Sequence, residues 1–160
     1  MDGYNTLGVT RAAITNNYKK YFKYIVIEKL ELDSNSILVL DDDYDVTVII
    51  RMGLGTRGLN VLTFTSPNLA LEHFKSNAAN YSLVISDLRM PGMNGFEFIR
   101  EVKEINPDIK VFLMTAFEIN NLEFSNAISS LKVDEFITKP ITIEKLTAMV
   151  EKHIGFLKTK

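Results

Sequence analysis

The sequence predicts an α/β fold, a doubly wound parallel sheet of five strands with helices on both faces. Two observations predict it. Short apolar runs recur between polar boundaries, and runs apolar on both sides of the pleat suit parallel strands covered on each face. Segments with helical spacing separate those runs, and strand–helix alternation with right-handed crossovers builds a doubly wound sheet.

The elements follow in order. Ile37-Leu38-Val39-Leu40 is the first strand, Val61-Leu62-Thr63-Phe64 the second and Leu83-Val84-Ile85 the third. Val111-Phe112-Leu113-Met114 is the fourth and Phe136-Ile137 the fifth. Phe96, Ile99, Val102 and Ile105 recur at every third position around Glu101, Lys103 and Glu104, which places a helix between strands three and four. Ile143, Leu146, Val150 and Ile154 mark the last helix in the same way. The regular pattern assigns residues 35–155 to the domain and 156–160 to a short tail. Residues 1–34 have no clear period; from Thr10 to Ile27 they carry Arg11, Lys19, Lys20 and Lys23 and no acid, with aromatic residues interleaved. They form an N-terminal extension of unknown role: a segment packed on the domain is expected, with a membrane-surface or partner-binding arm as the alternative.

Composition bounds the chemistry. The 160 residues carry a formal charge of −2, 46% hydrophobic and 24% charged residues, the profile of an ordinary globular protein with a core of its own. Without cysteine there is no disulfide, thiol nucleophile or thiolate metal site, and two histidines, His73 and His153, exclude a histidine-rich cage. Both sit among charged residues in helical segments and are expected at the surface. The near-neutral charge gives no electrostatic case for nucleic acid as a direct partner. No stretch approaches the ~20 apolar residues of a membrane helix, and no basic start followed by an apolar core suggests a signal peptide. The expected location is the cytoplasm.

In doubly wound sheets function sits at the carboxyl ends of the strands. Asp41-Asp42-Asp43 follows the first strand, Asp87 the third, Thr115 the fourth and Lys139-Pro140 the fifth. Clustered carboxylates repel and call for a cation. Oxygen-only donors suit Mg²⁺, which keeps several waters and binds carboxylates together with phosphate. A carboxylate beside that ion can act as nucleophile toward a phosphoryl group, whose charge spreads over three equatorial oxygens. Lys139 can neutralise one oxygen, Thr115 can hydrogen-bond a second and the ion can hold a third. No nucleotide cradle is visible, so the phosphoryl donor must come from outside.

With these residues in place, the chain from 36 to about 155 resembles the receiver domain of two-component response regulators, of the chemotaxis-type single-domain kind. The resemblance implies a flavodoxin-like sheet in the order 2-1-3-4-5 with five helices. It implies that Asp87 is the phospho-acceptor, set in Ser86-Asp87-Leu88-Arg89-Met90-Pro91-Gly92-Met93-Asn94-Gly95. Asp42 matches the direct Mg²⁺ ligand and Asp41 the acid acting through water, with Asp87 and the backbone carbonyl of Arg89 completing the set. Thr115 and Lys139 match the switch hydroxyl and the phosphate-pairing lysine, and Phe136 the switch aromatic. The Lys139–Pro140 bond is expected to be cis. Implied partners are a sensor histidine kinase or histidine phosphotransfer protein and a downstream protein read through helix 4, strand 5 and helix 5. A homodimer is compatible with this. About six residues follow Ile154, so a stand-alone receiver is expected. Two features depart from the family pattern: Phe136 has no hydroxyl, and Leu131-Lys132-Val133-Asp134 replaces the usual glycine–alanine pair after helix 4. Arg89 and Phe117 flank the path of an attacking water, and slow self-dephosphorylation is expected.

Other readings compete. A pseudo-receiver that never takes phosphate would be a pure interaction module, against which the complete acid, threonine and lysine set argues. Asp43-Tyr44-Asp45-Val46-Thr47 fits the nucleophile motif of haloacid-dehalogenase-type phosphatases with Asp43 as nucleophile, but Asp43 lies two residues beyond the strand end and no second acidic motif follows. The same acids start like a calcium loop, whose sixth and twelfth positions fail as Val46 and Met52. Gly53-Leu54-Gly55-Thr56-Arg57-Gly58 spells a dinucleotide fingerprint but lacks the strand before it, so glycines at a helix end and turn explain it better.

Overall fold

The computed structural model describes residues 35–116 and 122–155. The N-terminal extension, the tail and Phe117 lie outside the described residues. Among the described residues five strands alternate with five helices: β1 (Ser36–Leu40), α1 (Tyr44–Gly55), β2 (Val61–Phe64), α2 (Pro67–Asn77), β3 (Tyr81–Asp87), α3 (Gly95–Ile105), β4 (Lys110–Thr115), α4 (Leu122–Ser130), β5 (Glu135–Thr138) and α5 (Ile143–Ile154). A short 3₁₀ turn, Ala78–Asn80, leads into β3. All neighbouring strands pair parallel, in the order β2-β1-β3-β4-β5. The expected doubly wound, flavodoxin-like sheet is the observed one.

The apolar runs are strands because both of their faces are covered. Ile37, Val39, Leu83, Ile85, Phe112 and Met114 join Ile50 and Leu54 of α1 and Leu146 and Val150 of α5 in one core cluster. Alternate strand residues point to the opposite face, where Leu38, Leu40, Val84, Val111 and Leu113 are equally buried. Phe74 of α2 and Phe98, Ile99 and Val102 of α3 are fully buried, and α2 packs against α3. The buried face of α3 thus runs through Phe98, not the strict three-residue series, because a helix stripe advances by three and four in turn. Phe96 and Ile105 sit at its margins, half-buried.

Local signals place the helix ends. Asp43 caps α1 by accepting from the Asp45 amide. Ser66 caps α2 with Pro67 in its first turn. Asn94 and Glu97 form a reciprocal capping box on α3, and Thr142 caps α5. The fingerprint-like glycines do mark a helix end and turn: α1 stops at Gly55 and Gly58 takes a positive φ of 76°. Gly53 has a separate reason, since a Cβ there would lie 2.5 Å from Cγ2 of Ile143 at the α1–α5 contact.

The sequence places both histidines at the surface, and the structure corrects this. His73 is half-buried, its Nε2 2.8 Å from the Tyr81 hydroxyl and its ring against Phe64. His153 is half-buried too, bonded to Glu135 Oε1 at 2.8 Å and edge-on to Phe112. Their sequence neighbours are polar, but the partners that cover them come from distant strands.

Candidate functional site

The register brings the strand ends to one edge of the sheet. Leu40 pairs with Phe64 and Ser86, Asp87 with Met114, and Thr115 with Thr138. Three backbone hydrogen bonds continue the alignment past the strands: Asp41 N–H to Phe64 O at 3.1 Å, Leu88 N–H to Met114 O at 2.8 Å, and Lys139 N–H to Thr115 O at 2.7 Å. Residues that follow different strands are therefore held side by side.

There Asp41, Asp42 and Asp87 each offer a carboxylate oxygen, all within 4.8 Å of one another. Asp41 and Asp87 are buried, at 1% and 5% exposure, while Asp42 faces solvent. Lys139 lies between the buried pair, with Nζ 2.5 Å from Asp41 Oδ2 and 2.6 Å from Asp87 Oδ1. Its peptide bond to Pro140 is cis, as expected. The Arg89 amide donates to Asp87 Oδ2 at 2.9 Å, and the Asp43 amide to Asp41 Oδ1 at 2.9 Å. Thr115 is buried at the end of β4. Phe136 is half-buried on the edge strand β5, in register with Leu113.

Burial dominates the electrostatics of Asp41 and pushes its carboxyl above the ordinary value, although bonds from Lys139 and the Asp43 amide pull the other way. Burial alone would draw the Lys139 ammonium down. The hydrogen bonds and negative charge of Asp41 and Asp87 outweigh that, so the lysine is held above its usual value and stays charged. One cation thus serves two buried carboxylates, and the exposed Asp42 completes an oxygen-only donor set of the kind that suits a hard divalent ion.

The structure gathers Asp41, Asp42, Asp87 and Lys139 into contact range and aligns Thr115 beside them. Asp43 is set apart from the cluster as the helix cap. Two residues escaped the sequence reading: Gly95 at this end and Asp134 at the opposite, amino end of β4 and β5. Gly95 packs so closely that a Cβ would lie against the carbonyl oxygen of Asp87, and its amide donates to Leu88 O at 2.8 Å. Asp134 ties the entry of β5 to β4 by accepting from the Val111 amide at 2.9 Å and the Lys110 ammonium at 3.0 Å. Gly95 does stand in the quoted acceptor segment, but only packing shows its task.

Comparison with known proteins agrees with this geometry. The family profile described as the response regulator receiver domain matches residues 37–151. The Escherichia coli transcriptional regulatory protein ZraR is 34% identical over 125 residues, covering 77% of this chain and 27% of ZraR. The DNA-binding transcriptional regulator NtrC of Salmonella typhimurium is 29% identical over 119 residues, 74% of this chain and 24% of NtrC. The chain thus spans about a quarter of the length of these curated relatives. Among solved structures, a receiver domain protein from Clostridium thermocellum superposes with a TM-score of 0.65 at 31% identity, covering 75% of this chain and 94% of that one. The response regulator TrrA of Thermotoga maritima, in complex with Mg(2+)-BeF, gives 0.63 at 31% identity over 74% and 97%. By its fold, its strand-end acids and lysine, and these matches, the chain belongs to the response regulator receiver domain family.

Proposed function

We propose that this receiver accepts a phosphoryl group on Asp87 from a phosphohistidine of a sensor kinase or phosphotransfer protein. The observation that carries the reading is the pairing of a buried strand-end carboxylate, Asp87, with Lys139 at 2.6 Å inside the acidic cluster. An Asp87 oxygen forms the new bond to phosphorus as the phosphorus–nitrogen bond to the donor imidazole breaks, and the imidazole nitrogen leaves with the electron pair. Asp42, Asp87 and the Arg89 carbonyl would hold Mg²⁺ directly and Asp41 would hold it through water. Bound there, the ion supplies neutralising charge to the phosphoryl oxygens. The relative TrrA, of matching fold, is in complex with Mg(2+)-BeF, which supports that donor set.

Lys139 is already charged and aimed at Asp87, so it can follow the new phosphoryl oxygens at little reorganisation cost. Thr115 hydrogen-bonds a second oxygen, and Phe136 moves inward behind it on β5. The charge added at one sheet edge thereby biases a two-state element, read by a protein partner at the face of α4, β5 and α5.

The test is incubation of the chain with acetyl phosphate or a phosphorylated donor, with and without Mg²⁺. Mg²⁺-dependent incorporation that vanishes in Asp87→Asn is expected. Incorporation persisting in Asp87→Asn would move the acceptor elsewhere, Asp43 included, and none in the wild type would make the chain a pseudo-receiver. Arg89 is exposed beside Asp87, and slow self-dephosphorylation is expected from its shielding. A phospho-form lasting only seconds without a phosphatase, or unaltered decay in Arg89→Ala, would refute that part.

A further inference from the structure

Ser86 stands in an apolar strand, between Ile85 and Asp87, and is fully buried. A buried hydroxyl needs a partner, whereas an apolar side chain would fill such a strand position without one. The Ser86 Oγ donates to the carbonyl oxygen of Asp87 at 2.9 Å. The ladder from β3 to β1 ends at the Leu40–Ser86 pair, one residue short of Asp87. The hydroxyl therefore stands in for a ladder donor at the acceptor position.

That bond belongs to a connected set. The peptide unit between Asp87 and Leu88 is held at both ends: its carbonyl accepts from Ser86 Oγ, and its N–H donates to Met114 O at 2.8 Å. The unit between Leu88 and Arg89 is held at both ends too. The Arg89 amide donates to Asp87 Oδ2 at 2.9 Å, and the Leu88 carbonyl accepts from the Gly95 amide at 2.8 Å. Gly95 can come that close only without a Cβ, which would strike the same Asp87 carbonyl. The next carbonyl along the chain, that of Arg89, thus departs from a fixed plane, with only the φ and ψ of Arg89 left to aim it.

We propose that Ser86 is a positioning residue: its buried hydroxyl locks the Asp87–Leu88 peptide and so presents the Arg89 carbonyl to the divalent ion. This rests on the donor set proposed above for Mg²⁺. Of the four bonds, two join backbone groups and one belongs to the acceptor carboxylate itself. Ser86 is the link that a side-chain change removes without touching the acceptor. Without the hydroxyl the Asp87 carbonyl is buried and short of a donor, a costly state that turning the peptide relieves. An incoming ion must then turn the peptide back, and that cost falls on ion binding.

Nuclear magnetic resonance of the full chain tests this with two measurements. In a titration with Mg²⁺, Ser86→Ala is expected to raise the Kd about three- to tenfold, the range that one ordinary hydrogen bond carries. Ser86→Thr, which keeps the hydroxyl, is expected to stay within about twofold of the wild type, with circular dichroism confirming that both variants fold. In hydrogen exchange without metal, Ser86→Ala is expected to quicken the Leu88, Arg89 and Gly95 amides by a larger factor than those of Val39 and Leu40, whereas a merely structural serine would quicken all alike. An unchanged Kd in Ser86→Ala, a folded Ser86→Thr that binds as weakly as Ser86→Ala, or exchange quickened equally across the sheet would each overturn the proposal and leave the donor set standing. A wild type that binds no Mg²⁺ would overturn the donor set and this proposal with it.

Discussion

Lys132 shows how a single residue can work against the backbone it occupies. It has a φ of +51°, in the left-handed region. Its amide bonds the Ser129 carbonyl at 3.4 Å and the Val133 amide bonds the Ile128 carbonyl at 3.3 Å. That pair of bonds is the Schellman pattern, and Lys132 stands where glycine is usual. The missing glycine after α4, visible in the sequence as a departure from the family, therefore leaves the helix stop intact and puts the cost on a side chain. Lys132→Gly relieves a strain of about 1–2 kcal/mol and gives back part through a freer unfolded chain. A net gain of about 0.5–1 kcal/mol in chemical denaturation is expected; a loss would mean that the lysine side chain does more than tolerate its position. At the acidic cluster, position at the strand ends pointed to Asp87 and Lys139, the lysine as partner of a phosphoryl oxygen. That Lys139 bridges Asp41 and Asp87 together could not be read from residues so far apart in the chain.

At the scale of elements, the contact of α1 with α5 turns on Gly53. In an isolated helix Gly53→Ala would stabilise by about 1 kcal/mol. In this fold the added Cβ would meet three side-chain atoms of Ile143 at 2.5–2.9 Å, and overpacking of that kind costs about 1–3 kcal/mol. Gly53→Ala is expected to lower the melting temperature. Ile143→Ala is expected to cost less when combined with Gly53→Ala than in the wild type, a coupling that a double-mutant cycle measures. A stabilised Gly53→Ala would show that α5 can move away freely. The strands were legible because each is a short apolar run buried on both faces. The exact face of α3 was less so, because Phe98 and Phe96 are equally apolar in sequence and only packing buries one of them fully.

For the whole molecule, stability depends on pH through His73, which the sequence placed in water, and through Glu135. Burial holds the His73 imidazole below its ordinary value. The unfolded chain therefore takes up this proton first, and stability is complete above about pH 6.5 and falls as pH drops from there toward the folded value. The difference in melting temperature between wild type and His73→Gln is expected to shift against the wild type as pH falls from about 7.5 to 5.5. A constant difference would mean that His73 titrates as if exposed. Glu135 adds a second, more acidic dependence. Hydrogen bonds from His153 and then Lys152 hold its carboxyl below the ordinary value, so its contribution is present above about pH 4.5 and fades as pH falls further.

The sequence by itself determined the strand–helix alternation, the parallel sheet and the set of strand-end acids, threonine and lysine. Those features follow from local rules: apolar runs must be covered on both faces, and a doubly wound sheet carries its chemistry at the carboxyl ends. Tertiary structure alone decided that one lysine is shared by two buried carboxylates, that Gly95 and Gly53 are set by backbone and side-chain approach, that Phe98 takes the core of α3, and that both histidines are half-buried. Each of these depends on atoms brought together from distant parts of the chain, and no local pattern of residue types records such a distance.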